Sequence, residues 1–145
     1  FLTAQVSDRP RGDSPQLQPL VEPVDTSALE SVLGDSAFLS RANVSFIDSL
    51  GVRPVLKPKG GHVGHARGCR VYALLVRSYR ADPEEWARRN DYGLRSLIES
   101  GFSALKRRNG AGVRSRGDDR RSTEVLLKVL TYNGQRLAQL FWEGR

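Results

Sequence analysis

The sequence predicts an α/β domain with a short mixed sheet, flanking helices and a helical C-terminal tail. Apolar runs near residues 1–7, 32–35 and 52–59 are short, and Gly, Pro and Asp bound them as they bound strands. Between and after these runs, apolar residues recur every three or four positions, the period of a helix with one buried face. Strands that alternate with helices and then give way to helix alone make a layered α/β arrangement. At 145 residues the chain has the length of one domain with a real core, so the whole of 1–145 is read as a single domain.

Each element has its own signal. Residues 1–7, "FLTAQVS", alternate enough for a strand, and "DRPRGDSP" after it is a loop by its Pro, Gly and Asp content. Residues 16–21 form a short helix before Pro23, and Val32-Leu33 is a short strand that runs into Gly34-Asp35. Ser40 caps a helix that continues to Leu50, with Val44, Ile47 and Leu50 on one face and Gly51 as its stop. "VRPVLKPK", residues 52–59, is a strand whose two prolines argue for an edge. A flexible loop follows at 60–68, then a helix over 69–80 with Val71, Leu74 and Leu75 as its apolar stripe.

Asp82-Pro83 opens a long helix, with a cap residue, proline at the first helical position and two glutamates near the positive end of the dipole. It extends to about Arg108, bent near Gly93, and Asn109-Gly110 ends it. Residues 110–121 form a basic loop. A last helix, about Arg120 to Phe141, buries Leu126, Leu130, Leu137 and Phe141.

Charge is distributed unevenly. The net charge is +7, yet residues 1–50 hold three basic and seven acidic side chains. Residues 51–80 hold seven basic and none acidic, and residues 101–121 seven basic and two acidic. Those two regions draw a polyanionic partner. No apolar run approaches the roughly 18 to 20 residues that span a bilayer, so no membrane partner is expected. The lone Cys69 cannot form an internal disulfide, which suits a reducing compartment. There is no methionine, and the strand-like opening reads as the continuation of a longer frame, a domain truncated at its N-terminal side.

Several motifs carry less than they suggest. His62, His65 and Cys69 have ligand-like spacing, but a structural zinc needs a fourth ligand and the chain has no further His or Cys. The glycines of 60–68 lack the Gly-Lys-Ser/Thr ending of a phosphate loop. Arg11-Gly12-Asp13 and Arg116-Gly117-Asp118 repeat an adhesion tripeptide by coincidence, and Trp86 and Trp142 read as packing residues at helix ends.

The segment "NDYGLRSLIESGFSALKRR" is the most informative. At about 100° per residue, Leu94, Leu97, Ile98, Gly101 and Leu105 share one arc, which is the expected buried face. Tyr92, Arg95, Glu99 and Lys106 share another, within about 60°. Two readings stand: an Arg95–Glu99 pair on an exposed face, contributing a few tenths of a kcal/mol, or a carboxylate metal ligand flanked by phosphate-binding groups.

The spacing Tyr92-x2-Arg95-x3-Glu99-x6-Lys106 matches the Y-x2-R-x3-E-x6-K signature, and the chain resembles the DDE transposases of bacterial insertion sequences. The segment "VLGDSAFLSRANVSFIDSLGVRPVLKPK" resembles the family's strand ending in Asp, with an aromatic three residues on, then a helix and a strand. Asp35 and Phe38 fit that pattern, so Asp35 looks like the second catalytic aspartate. Likeness also extends to "FLTAQVSDRPRGDSPQLQPLV" and "STEVLLKVLTYNGQRL", nearly the whole chain.

The resemblance implies a partial ribonuclease H-like domain in which Asp35 and Glu99 are catalytic and hold Mg²⁺ or Mn²⁺. It implies that Tyr92, Arg95, Lys106, Arg107 and Arg108 contact DNA. The implied partners are transposon-end and target double-stranded DNA, with a homodimer assembled in the DNA complex, in the bacterial cytoplasm at the nucleoid. The family's first catalytic aspartate lies on an earlier strand, while Asp8 and Asp13 follow the strand read here. Two functions are therefore carried forward: a transposase fragment acting in strand cleavage and transfer, and an inactive DNA-binding relic.

Overall fold

Two short strands, β1 (Ser31–Gly34) and β2 (Arg53–Leu56), pair in parallel in a computed structural model that describes residues 1–6 and 12–144. Ser31 lies opposite Arg53 and Gly34 opposite Leu56. Parallel strands need a crossover, and α2 (Arg41–Ser49) provides it. Its start is the one expected: Ser40 is extended and its hydroxyl accepts the Asn43 N–H at 3.1 Å. Its stop is Gly51, whose φ of +73° suits a residue without a Cβ. The sheet is thus parallel rather than mixed, and both its strands are edges, which accommodates Pro54.

The expected N-terminal strand does not form. Residues 1–6 are irregular, while Ser7 and the first half of "DRPRGDSP", Asp8 among them, lie outside the described residues. A strand needs a ladder partner, and Phe1 instead packs on the rings of Phe102 and Tyr132 at 5.2 and 5.5 Å between centroids. Its ammonium and carbonyl both bond the Asn133 side chain, at 2.8 and 2.7 Å.

By its contacts the chain divides into two compact units. The first, Gly12–Arg95, contains the sheet and most of the core. A turn of 3₁₀ helix (Ser14–Gln16) leads into α1 (Leu17–Val21), and a second such turn, Thr26–Ala28, precedes β1. Val44 and Ile47 of α2, Leu56 of β2 and Val76 of α3 (Arg70–Ala81) are fully buried together. Asn43 is the buried polar residue among them, 2% exposed, and its amide donates to the carbonyls of Ser14 and Phe38, both at 2.8 Å. Those bonds satisfy a group that would otherwise be costly to bury.

On α3 the buried residues are Tyr72, Ala73, Leu75 and Val76, while Leu74 is 54% exposed. The predicted stripe was therefore rotated, because the tyrosine ring rather than Leu74 fills the core. The loop at 60–68 is tied down at several points: Tyr72 Oη to His62 Nδ1 at 2.9 Å, Arg41 to the His65 carbonyl at 3.1 Å and Arg77 to the Gly64 carbonyl at 2.9 Å. Asp82 caps α4 (Pro83–Arg89) as expected, accepting from the amides of Glu84 and Glu85 at 3.0 and 2.9 Å.

The long helix expected from Asp82 to Arg108 is broken. Asn90 closes α4 by donating to the Trp86 carbonyl at 2.7 Å, and Asp91 takes a φ of +50°. Aspartate tolerates that left-handed conformation, and a helix cannot continue through it. Tyr92–Arg95 then form a 3₁₀ turn before α5 (Ser96–Asn109). Asp91, rather than Gly93, is the break.

The second unit joins the N-terminal residues to the chain from Ser96 onward. Here α5 packs against α6 (Asp118–Glu143), with the Asn109 amide on the Lys128 carbonyl at 3.0 Å. Of the face expected to be buried on α5 only Leu105 is; Leu97 and Ile98 are exposed, as is Leu94 on the turn before it. Leu126, Leu130, Leu137 and Phe141 of α6 are exposed as well, so the burial expected for them is not observed. The helix instead turns a polar side to its neighbours. Glu124 accepts the Ser115 and Arg114 amides at 2.8 and 3.0 Å and pairs with Lys128 at 3.1 Å.

Those bonds, the Ser115 amide first and then the Arg114 amide and Lys128, hold the Glu124 carboxyl at about 2, below its ordinary 4.5. A depressed pKa contributes stability above the ordinary value and loses it as the pH falls through the folded one. The Arg114 and Ser115 amide shifts should therefore titrate with a midpoint near 2 and stay flat in Glu124→Gln, as followed by nuclear magnetic resonance; a midpoint at 4.5 would show the clamp unformed.

Candidate functional site

Asp35 is the first residue past the carboxyl end of β1, and Lys57 is its neighbour past the end of β2. In open α/β sheets ligands collect at this end of the strands. The Asp35 backbone turns at once, its carbonyl accepting the Phe38 amide at 3.2 Å and Oδ1 accepting the Ala37 amide at 2.9 Å. This short turn fixes the side chain without using up the carboxylate, which keeps further lone pairs and is 41% exposed.

The turn of 3₁₀ helix explains how two residues of the signature reach that point. Three residues per turn bring positions i and i+3 into line, so Tyr92 and Arg95 project from one edge. The Arg95 guanidinium lies 3.5 Å from Asp35 Oδ2. That exceeds a good charge-assisted bond, and with both groups about one-third exposed or more it contributes on the order of 0–1 kcal/mol. Its effect is to orient. The Tyr92 hydroxyl donates to the Gly34 carbonyl at 3.3 Å, and the Lys57 amide donates to the same oxygen at 3.1 Å.

An aromatic row supports this clasp. Tyr79 meets Trp86 edge-on at 5.2 Å, and Trp86, only 5% exposed, lies 5.4 Å from the Tyr92 ring. Lys57 Nζ stands 5.8 Å from the centre of that ring, at the outer reach of a cation–π contact. Trp86 is thus a packing residue, as expected. Gly34 has no room for a side chain: a Cβ there would come within 2.7 Å of Leu56 Cδ2.

The structure therefore brings Asp35, Tyr92 and Arg95 together within the Gly12–Arg95 unit. Glu99, Lys106, Arg107 and Arg108 are exposed on α5 in the other unit, so the single four-turn stripe expected of one helix is divided between a 3₁₀ turn and α5. Sequence reasoning missed the parts that Gly34 and Lys57 play in this clasp. The strand register could have found Lys57, which follows β2 as Asp35 follows β1.

The donors offered are carboxylate oxygens, hard ligands of the kind Mg²⁺ and Mn²⁺ take. Among the described residues no group of three or more His, Cys, Asp or Glu gathers at one place. His62 and Cys69 are otherwise employed: Cys69 Sγ caps α3 by accepting the Tyr72 amide at 3.4 Å, and His62 bonds the Tyr72 hydroxyl.

Two substitutions grade the clasp. Tyr92→Phe removes one partly buried hydrogen bond and should cost about 0.5–1.5 kcal/mol. Gly34→Ala forces a methyl against Leu56 and should cost more, about 1–3 kcal/mol. Urea unfolding followed by tryptophan fluorescence gives both values, and a Tyr92→Phe protein as stable as the parent would show that the hydroxyl holds nothing.

Comparison with known families concerns the chain as a whole. The family described as Transposase DDE domain matches residues 1–133, a span that includes Asp35 and every position from Tyr92 to Lys106. No curated protein and no solved structure matches. With most of its length matched, the chain belongs to the transposase DDE domain family, whose activity is the cleavage and transfer of DNA strands in transposition.

Proposed function

We propose that the chain belongs to a catalytic domain of ribonuclease H-like fold, which cuts and joins transposon DNA with Asp35 and Glu99 as carboxylate ligands of Mg²⁺ or Mn²⁺. The observation that carries this reading is the clasp. Two members of the Tyr92–Lys106 signature lie against the strand end that bears Asp35, and the same signature contains Glu99. Asp35 fits as a ligand because it is accessible and one of its oxygens faces only a long contact to Arg95. Among the described residues no third carboxylate gathers with these two.

When bound, the divalent ions supply Lewis-acid stabilisation of the attacking and leaving oxygens. The residues of this chain bind and orient. A water oxygen attacks phosphorus, the P–O3′ bond breaks, the water gives up a proton and the 3′ oxygen gains one. The freed 3′-hydroxyl then attacks a phosphorus of target DNA in line and loses its proton as the new P–O bond forms, while the target's own P–O3′ bond breaks and that 3′ oxygen gains a proton. Arg95 has five N–H donors and can meet a phosphate while still facing Asp35. Tyr92, Lys106, Arg107 and Arg108 are assigned further contacts to transposon-end and target DNA, in a homodimer assembled on that DNA at the bacterial nucleoid.

A second reading, DNA binding without cleavage, draws support from the Arg95 cation set directly against Asp35. A nicking assay on supercoiled DNA with Mg²⁺ or Mn²⁺ separates the two. Asp35→Asn and Glu99→Gln should each lower the nicking rate by more than the roughly 10- to 100-fold typical of an outer partner of a metal site. Binding with no metal-dependent nicking by the parent chain would favour the second reading.

A further inference from the structure

The loop at 60–68 and the C-terminal half of α3 frame an open cleft of about 380 Å³, lined by Val63, Gly64, His65, Arg77, Arg80 and Ala81. None of these residues takes part in the Asp35 clasp, and no carboxylate is among them. The segment from residue 51 to 80 contains seven basic and no acidic side chains. The nearest acidic residue along the chain, Asp82, is engaged as the cap of α4.

Arg77 is held in place rather than merely present. Its Nε donates to the Gly64 carbonyl at 2.9 Å, which leaves the four N–H donors of its terminal nitrogens available. Its stem occupies the space where a side chain on residue 64 would begin, since a Cβ there would lie 2.7 Å from Arg77 Cγ. Glycine at 64 is thus what allows the guanidinium to lie across the loop. Arg41 pins the loop from its other side through the His65 carbonyl, while its own guanidinium sits 4.4 Å over the Tyr72 ring. A guanidinium fixed before binding loses less freedom on meeting a phosphate, and its fork suits two phosphate oxygens at once.

We propose that this cleft binds a backbone phosphate of DNA through Arg77 and Arg80, a second DNA contact apart from the Asp35 strand end. The inference rests on the reading that the chain binds DNA. It is independent of the metal site, so it can be tested in the full chain carrying Glu99→Gln, with chelator present to prevent cleavage.

The measurement is fluorescence anisotropy of a labelled DNA duplex across a salt series. Each lost phosphate contact should lower the slope of log affinity against log salt by about 1. Arg77→Gln with Arg80→Gln should therefore lower it by about 2. Arg80→Gln alone, which breaks no bond to the loop, should lower it by about 1 and guards against a folding defect in the double variant. Unchanged slopes with intact parental binding would overturn the cleft while leaving the DNA reading in place; no binding by the parent would overturn both. As a last arm, the duplex should shift the Arg77 Nε–H resonance far more than inorganic phosphate at the same phosphate concentration. An equal shift by inorganic phosphate would make this a free-anion site and overturn the assignment to DNA.

Discussion

The carbonyl of Gly34 is the point on which the rest of the Gly12–Arg95 unit depends. It accepts both the Lys57 amide, which continues the pairing of the two strands, and the Tyr92 hydroxyl, which docks the turn after α4. The next residue in the chain is Asp35, so whatever fixes this carbonyl also fixes the carboxylate. Gly34 itself must be glycine because the Leu56 side chain fills the space a Cβ would take. Sheet pairing, core packing and the candidate site therefore meet at one peptide.

This economy explains why the Tyr92 and Arg95 positions have more than one physical effect. Both could meet phosphates, yet in the structure they first serve the protein, one on the backbone before Asp35 and one on its side chain. The two units also differ in how they are held. Gly12–Arg95 has a contiguous apolar core, whereas in the other unit α5 is tied to α6 by the Asn109 amide on the Lys128 carbonyl, and Glu124 of α6 clamps the loop at Arg114 and Ser115.

Much of this was legible in the residues, for reasons that are local. Ser40 and Asp82 announced their helices because a cap is a short-range bond between a side chain and the amides just after it. Gly51 and Gly110 marked helix ends because each takes a positive φ. What failed depended on distant partners. Residues 1–6 alternate like a strand but have no ladder to join, and Phe1 finds two rings instead. Periodicity placed Leu126, Leu130, Leu137 and Phe141 of α6 on one face, but it could not say that the helix would pack by its Glu124 and Lys128 side. At the site, the signature spacing identified Tyr92 and Arg95, whereas the break at Asp91 that turns them toward Asp35 carries no strong sequence signal.

The proposed role of Asp35 and Glu99 as ligands of one divalent ion is open to a direct test. Manganese titration observed by nuclear magnetic resonance tests it most directly, because the paramagnetic ion broadens signals only in its vicinity. The account predicts that amides around Asp35 and around Glu99 broaden together, at the same ion concentration, and that Asp35→Asn abolishes both effects. Broadening around one of them alone, or first around His62 and Cys69, would contradict it.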